Sequence, residues 1–323
     1  MYSRRHFART VFGAAPLAAA LANIDSKVRG VQFGLQTYVF TLSGPRTGIL
    51  DTVVQSMVET GLGECELYGP VIEPGELSDR TRAPQASAED RASARGELAK
   101  WRASVPLDYF QGIRKKFETA GIGIYSYTAT PGPNDDDINR TFEQAKALGA
   151  RLITMGVGLA AAKRIAPFAE KHGLLVGLQG NPSMNGANPD QIARPEQYLE
   201  GVALSKQFRI CLDIGDATGG GWDVLRFVQE HPEPIAIIYV KDRKKDRTSV
   251  PFGEGDTPVK QVLQLIRDKQ YPIRAYIDCD YRTDGSRADA VKASLGKWRT
   301  NTLRENRKSW AAQIGRASCR ERV

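Results

Sequence analysis

Between residues 31 and 303, eight short apolar segments alternate with longer stretches in which apolar residues recur at helical spacing. This alternation is typical of parallel strands covered by helices, and eight strands favour a closed (β/α)8 TIM barrel over an open doubly wound sheet. Neither GxGxxG nor a P-loop motif follows a strand candidate. We therefore predict a single-domain (β/α)8 barrel. The predicted strands are 31–38, 64–68, 122–127, 152–156, 174–179, 208–212, 235–241 and 273–278.

The two ends of the chain do not fit this pattern. Residues 1–22 carry Arg4 and Arg5 before an apolar, alanine-rich stretch ending in a small-x-small site, which resembles a cleavable twin-arginine export signal. Residues 314–323 resemble the translation of a sequencing-library adapter, and we interpret them as a non-native tail. The barrel is therefore assigned to residues 23–313, with a long, partly helical or mobile insertion at 69–106 on the active face. We expect a periplasmic or exported protein.

Composition argues against two classes of partner. The formal net charge is +8, but more than half of it comes from the two terminal segments. The basic balance is therefore no evidence for nucleic-acid binding, and no segment after residue 22 is long and apolar enough to span a membrane. Cys65, Cys211 and Cys279 each lie inside a predicted strand, and we interpret them as small buried apolar residues. The oligomeric state stays open.

The segment FRICLDIGDATGGG, beginning at Phe208, joins a buried strand directly to acids and glycines. Asp213 and Asp216 stand three residues apart at the end of this strand, where a carboxylate is costly unless something binds it. One interpretation is that Asp213 caps the next helix. The other is a functional carboxylate at the mouth of the barrel, which we favour because other strands end in the same way.

Polar side chains also end most of the other predicted strands. Chemistry in such barrels gathers at these strand ends, and a ring of acids and amides around a lysine suits a sugar, because each hydroxyl needs an acceptor or a donor. The alternative for each single acid is a helix cap or a structural salt bridge, and Lys241 could equally be a simple ion-paired lysine. The predicted substrate-binding residues are Glu66, Gln179, Asn181, Asp216, Tyr239 and Asp280.

Histidine is scarce, with three in the chain. His6 lies in the predicted signal, whereas His172 and His231 precede strands and should lie on the opposite face. An active face without histidine cannot use an imidazole base or a histidine-bound zinc. If a metal binds, oxygen ligands would favour Mg²⁺ or Mn²⁺; the absence of any metal is the other expectation. The candidate metal ligands are Asp213, Asp278 and Gln179.

Five motifs carry a resemblance to a known family. VGLQGNP, CLDIGD, IIYVKDR, VPFGEGD and YIDCDY resemble, in order and spacing, those of the sugar phosphate isomerase/epimerase family with the xylose-isomerase-like TIM barrel. The resemblance covers about residues 31–303 and implies a metal-dependent proton shift on an aldose or ketose. Of the metal positions it implies, only Asp213 matches. Gln179, Tyr239 and Asp278 replace histidine or glutamate, whereas Lys241 is retained.

Two functions follow from this combination. The first is an exported enzyme acting on a sugar or sugar derivative, with Asp213 and Asp278 as acid and base and Lys241 stabilising developing enolate charge. Proton abstraction next to a carbonyl would then give isomerisation, epimerisation or elimination. The second is a metal-free family member that binds a carbohydrate without catalysis. Endonuclease IV-like phosphodiester cleavage uses the same barrel but ranks last, because its metal cluster needs several histidines that the active face of this chain lacks.

Overall fold

The computed structural model describes residues 23–42, 48–81, 83–182, 188, 190–283 and 285–299. The predicted export signal at 1–22 and the predicted tail at 314–323 lie outside the described residues. None of the helices formed by the described residues combines the length and the apolar character that a membrane span needs.

Eight parallel strands close into a barrel, which confirms the predicted fold class. Each strand, β2 to β9, pairs with the next along the chain, and β9 pairs with β2 through Phe33 and Ala275. A two-residue strand, β1, precedes them and pairs antiparallel with β2. The strands are β1 Lys27–Val28, β2 Val31–Gln36, β3 Glu64–Tyr68, β4 Gly123–Thr128, β5 Leu152–Met155, β6 Leu175–Leu178, β7 Phe208–Asp213, β8 Ile235–Val240 and β9 Arg274–Ile277.

Helices follow the strands and cover the outside of the barrel. The stretches of helical spacing between the predicted strands form helices among the described residues. The helices are α1 Leu50–Thr60, α2 Gly75–Arg80, α3 Ala88–Ser104, α4 Leu107–Thr119, α5 Asp135–Ala147, α6 Leu159–His172, α7 Pro195–Ala203, α8 Ile214–Gly219, α9 Val224–Glu230, α10 Val259–Lys269 and α11 Arg287–Lys297.

The 69–106 segment contains two helices, α2 and α3, after β3. The 17-residue helix α3 begins with a capping box, in which Ser87 Oγ accepts from the Asp90 backbone N–H and Asp90 accepts from the Ser87 N–H. The buried carboxylate of Glu73 accepts from Arg102 Nε at 2.7 Å. This ion pair holds the end of α3 against the start of the same segment.

Apolar residues fill two layers. The larger core lies between strands and helices, and β8 is buried at all six positions, as a parallel strand covered on both faces requires. A smaller cluster inside the barrel includes Tyr239 and Tyr276. A Cβ at Gly34 would lie 2.4 Å from the Tyr276 ring, so glycine leaves the room that this ring occupies. Burying each large apolar side chain stabilises the fold by roughly 1.5–3 kcal/mol.

Candidate active site at the mouth of the barrel

Three neighbouring strands bring an acid, a lysine and a second acid to one point at the barrel mouth. Asp213 ends β7, Lys241 follows β8 and Asp278 follows β9. The Lys241 ammonium lies 2.8 Å from Asp213 Oδ2, 2.9 Å from Asp278 Oδ2 and 3.1 Å from Asp280 Oδ2. Lys241, Asp213 and Asp278 are all buried. The structure thus brings the three predicted catalytic residues together, while their roles stay a prediction.

Asp213 has two partners. Its Oδ1 accepts from the Asp216 backbone N–H at 2.8 Å and caps α8, while Oδ2 pairs with Lys241. The cap interpretation of this residue is therefore confirmed, while Asp213 also belongs to the charged site and its functional role stays a prediction. The cap fixes the direction of the carboxylate. Gly215 allows the close packing of α8, because a Cβ there would lie 2.9 Å from the Lys241 carbonyl oxygen.

Arg243 extends the site and is the charged residue that sequence reasoning missed. Its guanidinium lies 2.8 Å from Asp216 Oδ1 and 2.9 Å from Asp280 Oδ2. The available signal was its spacing, two residues beyond Lys241 on an extended segment, where alternate side chains share a face. We call the following six residues the Lys241 cluster: Asp213, Asp216, Lys241, Arg243, Asp278 and Asp280.

Charge balance in the Lys241 cluster shifts the pKa values of its members. Burial would lower the pKa of Lys241, but the surrounding carboxylates outweigh this and raise it well above the ordinary value. Burial and the Asp213 charge raise the pKa of Asp216 to about 7, and burial raises that of Asp278 to about 6. Burial also opposes ionisation of Asp280, but Lys241, a hydrogen bond with Ser249 and Arg243 together lower its pKa. The cluster contains four carboxyl groups and two cations, so ionisation of all four acids would leave an excess of negative charge. Some of the carboxyl groups therefore retain their protons.

Three carboxylate oxygens of the cluster are buried without a hydrogen-bond partner among the described residues: Asp216 Oδ1, Asp278 Oδ1 and Asp280 Oδ1. Asp216 Oδ1 forms an ion pair with Arg243 at 2.8 Å. Asp278 Oδ1 is buried and has no hydrogen-bond partner among the described residues, while Oδ2 of the same carboxylate binds Lys241. Leaving such an atom without a partner costs about 1–3 kcal/mol, which an incoming hydroxyl would recover. Asp278 Oδ1 and Asp280 Oδ1 are therefore the acceptor positions that the cluster offers to a ligand.

Glu66 and Tyr239 lie deeper in the barrel, in a separate network. Tyr239 donates to Glu66 Oε2 at 2.8 Å, Gln36 Nε2 to Oε1 at 2.7 Å, Thr128 to Oε1 at 2.6 Å and Thr154 to Oε2 at 2.9 Å. Burial raises the pKa of Glu66 despite these four donors. We call these five residues the Glu66 centre. A sugar hydroxyl could bind Glu66 only by displacing one of the donors, so its substrate-binding role stays a prediction.

Gln179 and Asn181 lie after β6, the neighbour of β7. The Gln179 backbone N–H donates to Met155 at 3.0 Å and the Asn181 N–H to Ile192 at 2.8 Å, which ties this loop to adjacent backbone. Gln179 is half-buried and Asn181 is exposed. Both side chains stay predicted substrate contacts, one strand removed from Lys241.

Asp242 points away from the site and orders the loop that follows. Its Oδ2 accepts from the backbone N–H groups of Gly253 at 2.7 Å and Gly255 at 3.2 Å. A Cβ at Gly255 would lie 2.1 Å from Asp242 Oδ1, so this glycine permits the close approach. The VKD and FGEGD motifs therefore form one unit, in which Asp242 positions the loop and Lys241 faces the mouth.

Comparison with known proteins agrees with this geometry. A family model described as a xylose isomerase-like TIM barrel matches residues 106–301, more than half of the chain. The chain belongs to the xylose isomerase-like TIM barrel family. Among curated proteins, no sequence matches it.

Solved structures share the barrel of this family at low sequence identity. A sugar phosphate isomerase/epimerase from Parabacteroides distasonis is 14% identical, with a TM-score of 0.57 over 88% of this chain and 99% of that one. A probable 3-DHS dehydratase from Bacillus anthracis is 13% identical, with a TM-score of 0.59 over 84% and 99%. D-psicose 3-epimerase from Clostridium cellulolyticum, solved with D-tagatose, is 12% identical, with a TM-score of 0.53 over 84% and 97%. At these identities the likeness shows the fold alone.

The metal that the family resemblance implies does not fit the residues present. Asp213 uses both oxygens, one for the α8 cap and one for Lys241, and Asp278 Oδ2 also binds Lys241. Among the described residues, no group of three or more His, Cys, Asp or Glu side chains is arranged to hold a metal ion. His172 ends α6 and His231 follows α9, so neither lies at the strand ends. We therefore derive no step of the chemistry through a metal.

Proposed function

We propose that this protein is an enzyme that acts on a sugar or sugar derivative by moving a proton at the carbon next to a carbonyl group. The observation that carries the proposal is a buried ammonium held by three aspartates, beside a carboxylate oxygen without a partner. Isomerases, epimerases and a probable dehydratase among the structures that share the fold make this substrate class reasonable. Isomerisation, epimerisation and elimination all begin with this proton transfer.

Lys241 would act as a fixed positive charge. A lysine that forms a Schiff base needs a lowered pKa so that its amine is neutral, whereas the carboxylates raise the pKa of Lys241. The ammonium can instead stabilise negative charge that develops on the carbonyl oxygen of the substrate. Removing one such preorganised electrostatic contact costs about 10²–10³ in kcat in other enzymes.

Asp278 would exchange the proton. Its Oδ1 is the free acceptor, so the substrate C–H proton passes to this oxygen while the electron pair moves into the enolate, whose charge Lys241 faces. Return of a proton to the opposite face of the same carbon gives epimerisation, and return to the former carbonyl carbon gives isomerisation. Asp216 could carry a second proton, because its carboxyl is half-buried beside Arg243.

Carbohydrate binding without catalysis is the second candidate. The observation that favours it is that three carboxylates already occupy the three N–H donors of Lys241. A substrate oxygen would have to share one of these donors, which weakens the stabilisation of an enolate. The same acids and Arg243 would still bind sugar hydroxyls.

Deuterium exchange separates the two candidates. Purified protein is incubated in D2O with a panel of aldoses, ketoses and their acid and phosphate derivatives, and exchange at carbon is followed by NMR. The proposed enzyme exchanges at least one sugar, and Asp278→Asn loses the exchange. The matched control is Asp223→Asn at the exposed N-cap of α9, which should leave exchange unchanged. Sugar binding without exchange favours the second candidate. The absence of both sugar binding and exchange would contradict both candidates.

Export is part of the proposal and rests on residues 1–22, in which Arg4 and Arg5 precede an apolar, alanine-rich stretch with a small-x-small site. Changing both to lysine should retain the protein in the cytoplasm of a bacterial host, as measured by cell fractionation. Equal amounts of both forms in the periplasm would contradict export by the twin-arginine route.

A further inference from the structure

We infer that a cavity at the opposite end of the barrel from the Lys241 cluster binds a small molecule through its phosphate group. This strand-start cavity has a volume of about 650 Å³ and lies where β3, β4 and β9 begin. It is about 13 Å from the cluster along β9, because Arg274 begins this strand and Asp278 follows its end. The inference does not rest on the proposed function.

Four basic side chains line the strand-start cavity, and they come from separate parts of the chain. Lys27 lies on β1, Arg114 on α4, Arg151 directly before β5 and Arg274 at the start of β9. The side chains of Lys27 and Arg151 are exposed and have no hydrogen-bond or ion-pair partner among the described residues. Cations gathered around one concave space raise the local concentration of anions there.

Arg274 is held in place before any ligand binds. Its guanidinium lies 3.5 Å from the centroid of the Tyr125 ring, and its Nε donates to Glu64 Oε1 at 2.9 Å. The two terminal nitrogens of Arg274 have no partner among the described residues. A guanidinium fixed in this way can donate to two oxygens of a phosphate group with little further loss of side-chain freedom.

Two of the three acids that line the cavity are bound by its arginines. Glu64 accepts from Arg274, and Glu118 accepts from Arg114 Nε at 2.7 Å. Asp25 is the third acid. Four basic side chains therefore face three acids, whereas the Lys241 cluster has four carboxyl groups and two cations. This charge difference favours an anionic ligand at the strand starts.

A second cavity adjoins the first and adds further basic residues. It has a volume of about 360 Å³, shares Lys27, Gln32 and Arg274 with the strand-start cavity, and is also lined by Arg29 and Arg267. The volumes fall in the range of about 300–1,000 Å³ that is typical of pockets for small organic molecules. The shared Gln32 side chain adds an amide oxygen that can accept from a hydroxyl group. Both features favour a phosphate carried on an organic group.

Calorimetric titration tests the inference with two probes, inorganic phosphate and glucose 6-phosphate. We expect saturable binding to the wild type, with one ligand per chain. Tighter binding of glucose 6-phosphate would identify an organic phosphate as the ligand, and equal or weaker binding would identify free phosphate. Arg151→Ala should weaken the binding of both probes at least about tenfold, because it removes charge-assisted hydrogen bonds to the anion.

Control variants separate this site from the barrel mouth and from effects on the fold. Arg226→Ala, at an exposed ion pair on α9, should leave the phosphate affinity unchanged. Arg151→Lys keeps the charge and should recover part of the affinity that Arg151→Ala loses. Asp278→Asn should retain phosphate binding, and Arg151→Ala should retain the melting temperature and the deuterium exchange of the wild type.

Three results would overturn the inference. The first is that neither probe binds the wild type saturably at millimolar concentrations. The second is an unchanged phosphate affinity in folded Arg151→Ala. The third is a loss of phosphate binding in Asp278→Asn, which would place the anion at the barrel mouth. None of these measurements depends on deuterium exchange, so the inference and the proposed function can fail separately.

Discussion

Two buried carboxylate networks share the barrel, and they differ in what binds the carboxylates. In the Glu66 centre, four neutral donors from β2, β4, β5 and β8 surround one carboxyl group that is fully buried. In the Lys241 cluster, cations bind the carboxylates, and Oδ1 of both Asp278 and Asp280 is left without a partner among the described residues. Tyr239 and Lys241, two residues apart along β8 and its continuation, connect the two networks.

The difference separates a structural role from a chemical one. A carboxyl group whose acceptor positions are all used contributes order to the barrel interior but offers nothing to a ligand. A charged cluster with an unpartnered oxygen at the strand ends can bind a hydroxyl and transfer a proton. We therefore expect mutations in the cluster to affect activity and mutations in the Glu66 centre to affect stability.

Lys241→Met should have the largest effect, because it leaves three carboxylates, two of them buried, without their shared cation. Breaking a buried ion pair by removing one partner costs about 3–5 kcal/mol of unfolding free energy, and deuterium exchange should fall at least about 10²-fold. Urea unfolding and NMR exchange measure the two effects. Lys116→Met, at an exposed pair, is the control for stability. Unchanged exchange in folded Lys241→Met would rule out the electrostatic role of this residue.

Glu66→Ala should follow, with a loss of about 2–4 kcal/mol, since it creates a cavity and leaves buried donors unpaired. Urea unfolding measures the loss. Glu66→Gln is the matched variant, because it keeps the volume and one acceptor and should cost less. If Glu66→Ala unfolds no more easily than Glu66→Gln, then the donors around Glu66 do not need an acceptor there.

The pH dependence of stability should also differ between the networks. Burial raises the folded-state pKa of Glu66, so its carboxyl holds its proton more tightly in the folded than in the unfolded chain. This contribution to stability is fully present below the unfolded pKa and is lost as pH rises through the folded pKa. The unfolding free energy of the wild type minus that of Glu66→Gln should therefore decrease as pH rises from about 4, the ordinary pKa of a glutamate, towards neutral pH. A difference that increases over this range would contradict the assigned shift.

The sequence predicts the barrel and the meeting of Asp213, Asp278 and Lys241 for the same physical reason. Parallel strands of one barrel end at the same edge, so polar residues that end them must come close together whatever the loops do. The direction in which each side chain points cannot be predicted in this way, because it depends on packing across the barrel. Pattern alone therefore cannot show which acids pair with Lys241.

Arg243 and the donors of the Glu66 centre illustrate this limit. Gln36, Thr128 and Thr154 are ordinary polar residues at or near strand ends, and only the closure of the barrel brings them to Glu66. In the same way, the capping box at Ser87 can be read from the sequence, but its spacing does not show that α3 packs on Glu73. Local signals predict the elements, and long-range contacts decide the site.

Thr154→Val should have the smallest effect and test most directly whether the two networks are independent. It removes one of the four donors to Glu66 and the 2.8 Å contact with Ser126 Oγ with little change in shape, so the loss of stability should be about 1–3 kcal/mol, typical of buried hydrogen-bonding groups that lose a partner. Deuterium exchange should stay at the wild-type level, because Thr154 lies on β5 and binds Glu66, not the Lys241 cluster. Asp278→Asn is the reciprocal variant, with a large loss of exchange. A loss of exchange in Thr154→Val comparable to that in Asp278→Asn would show that Glu66 and Tyr239 serve the chemistry as well, and the distinction between a structural and a chemical network would fail.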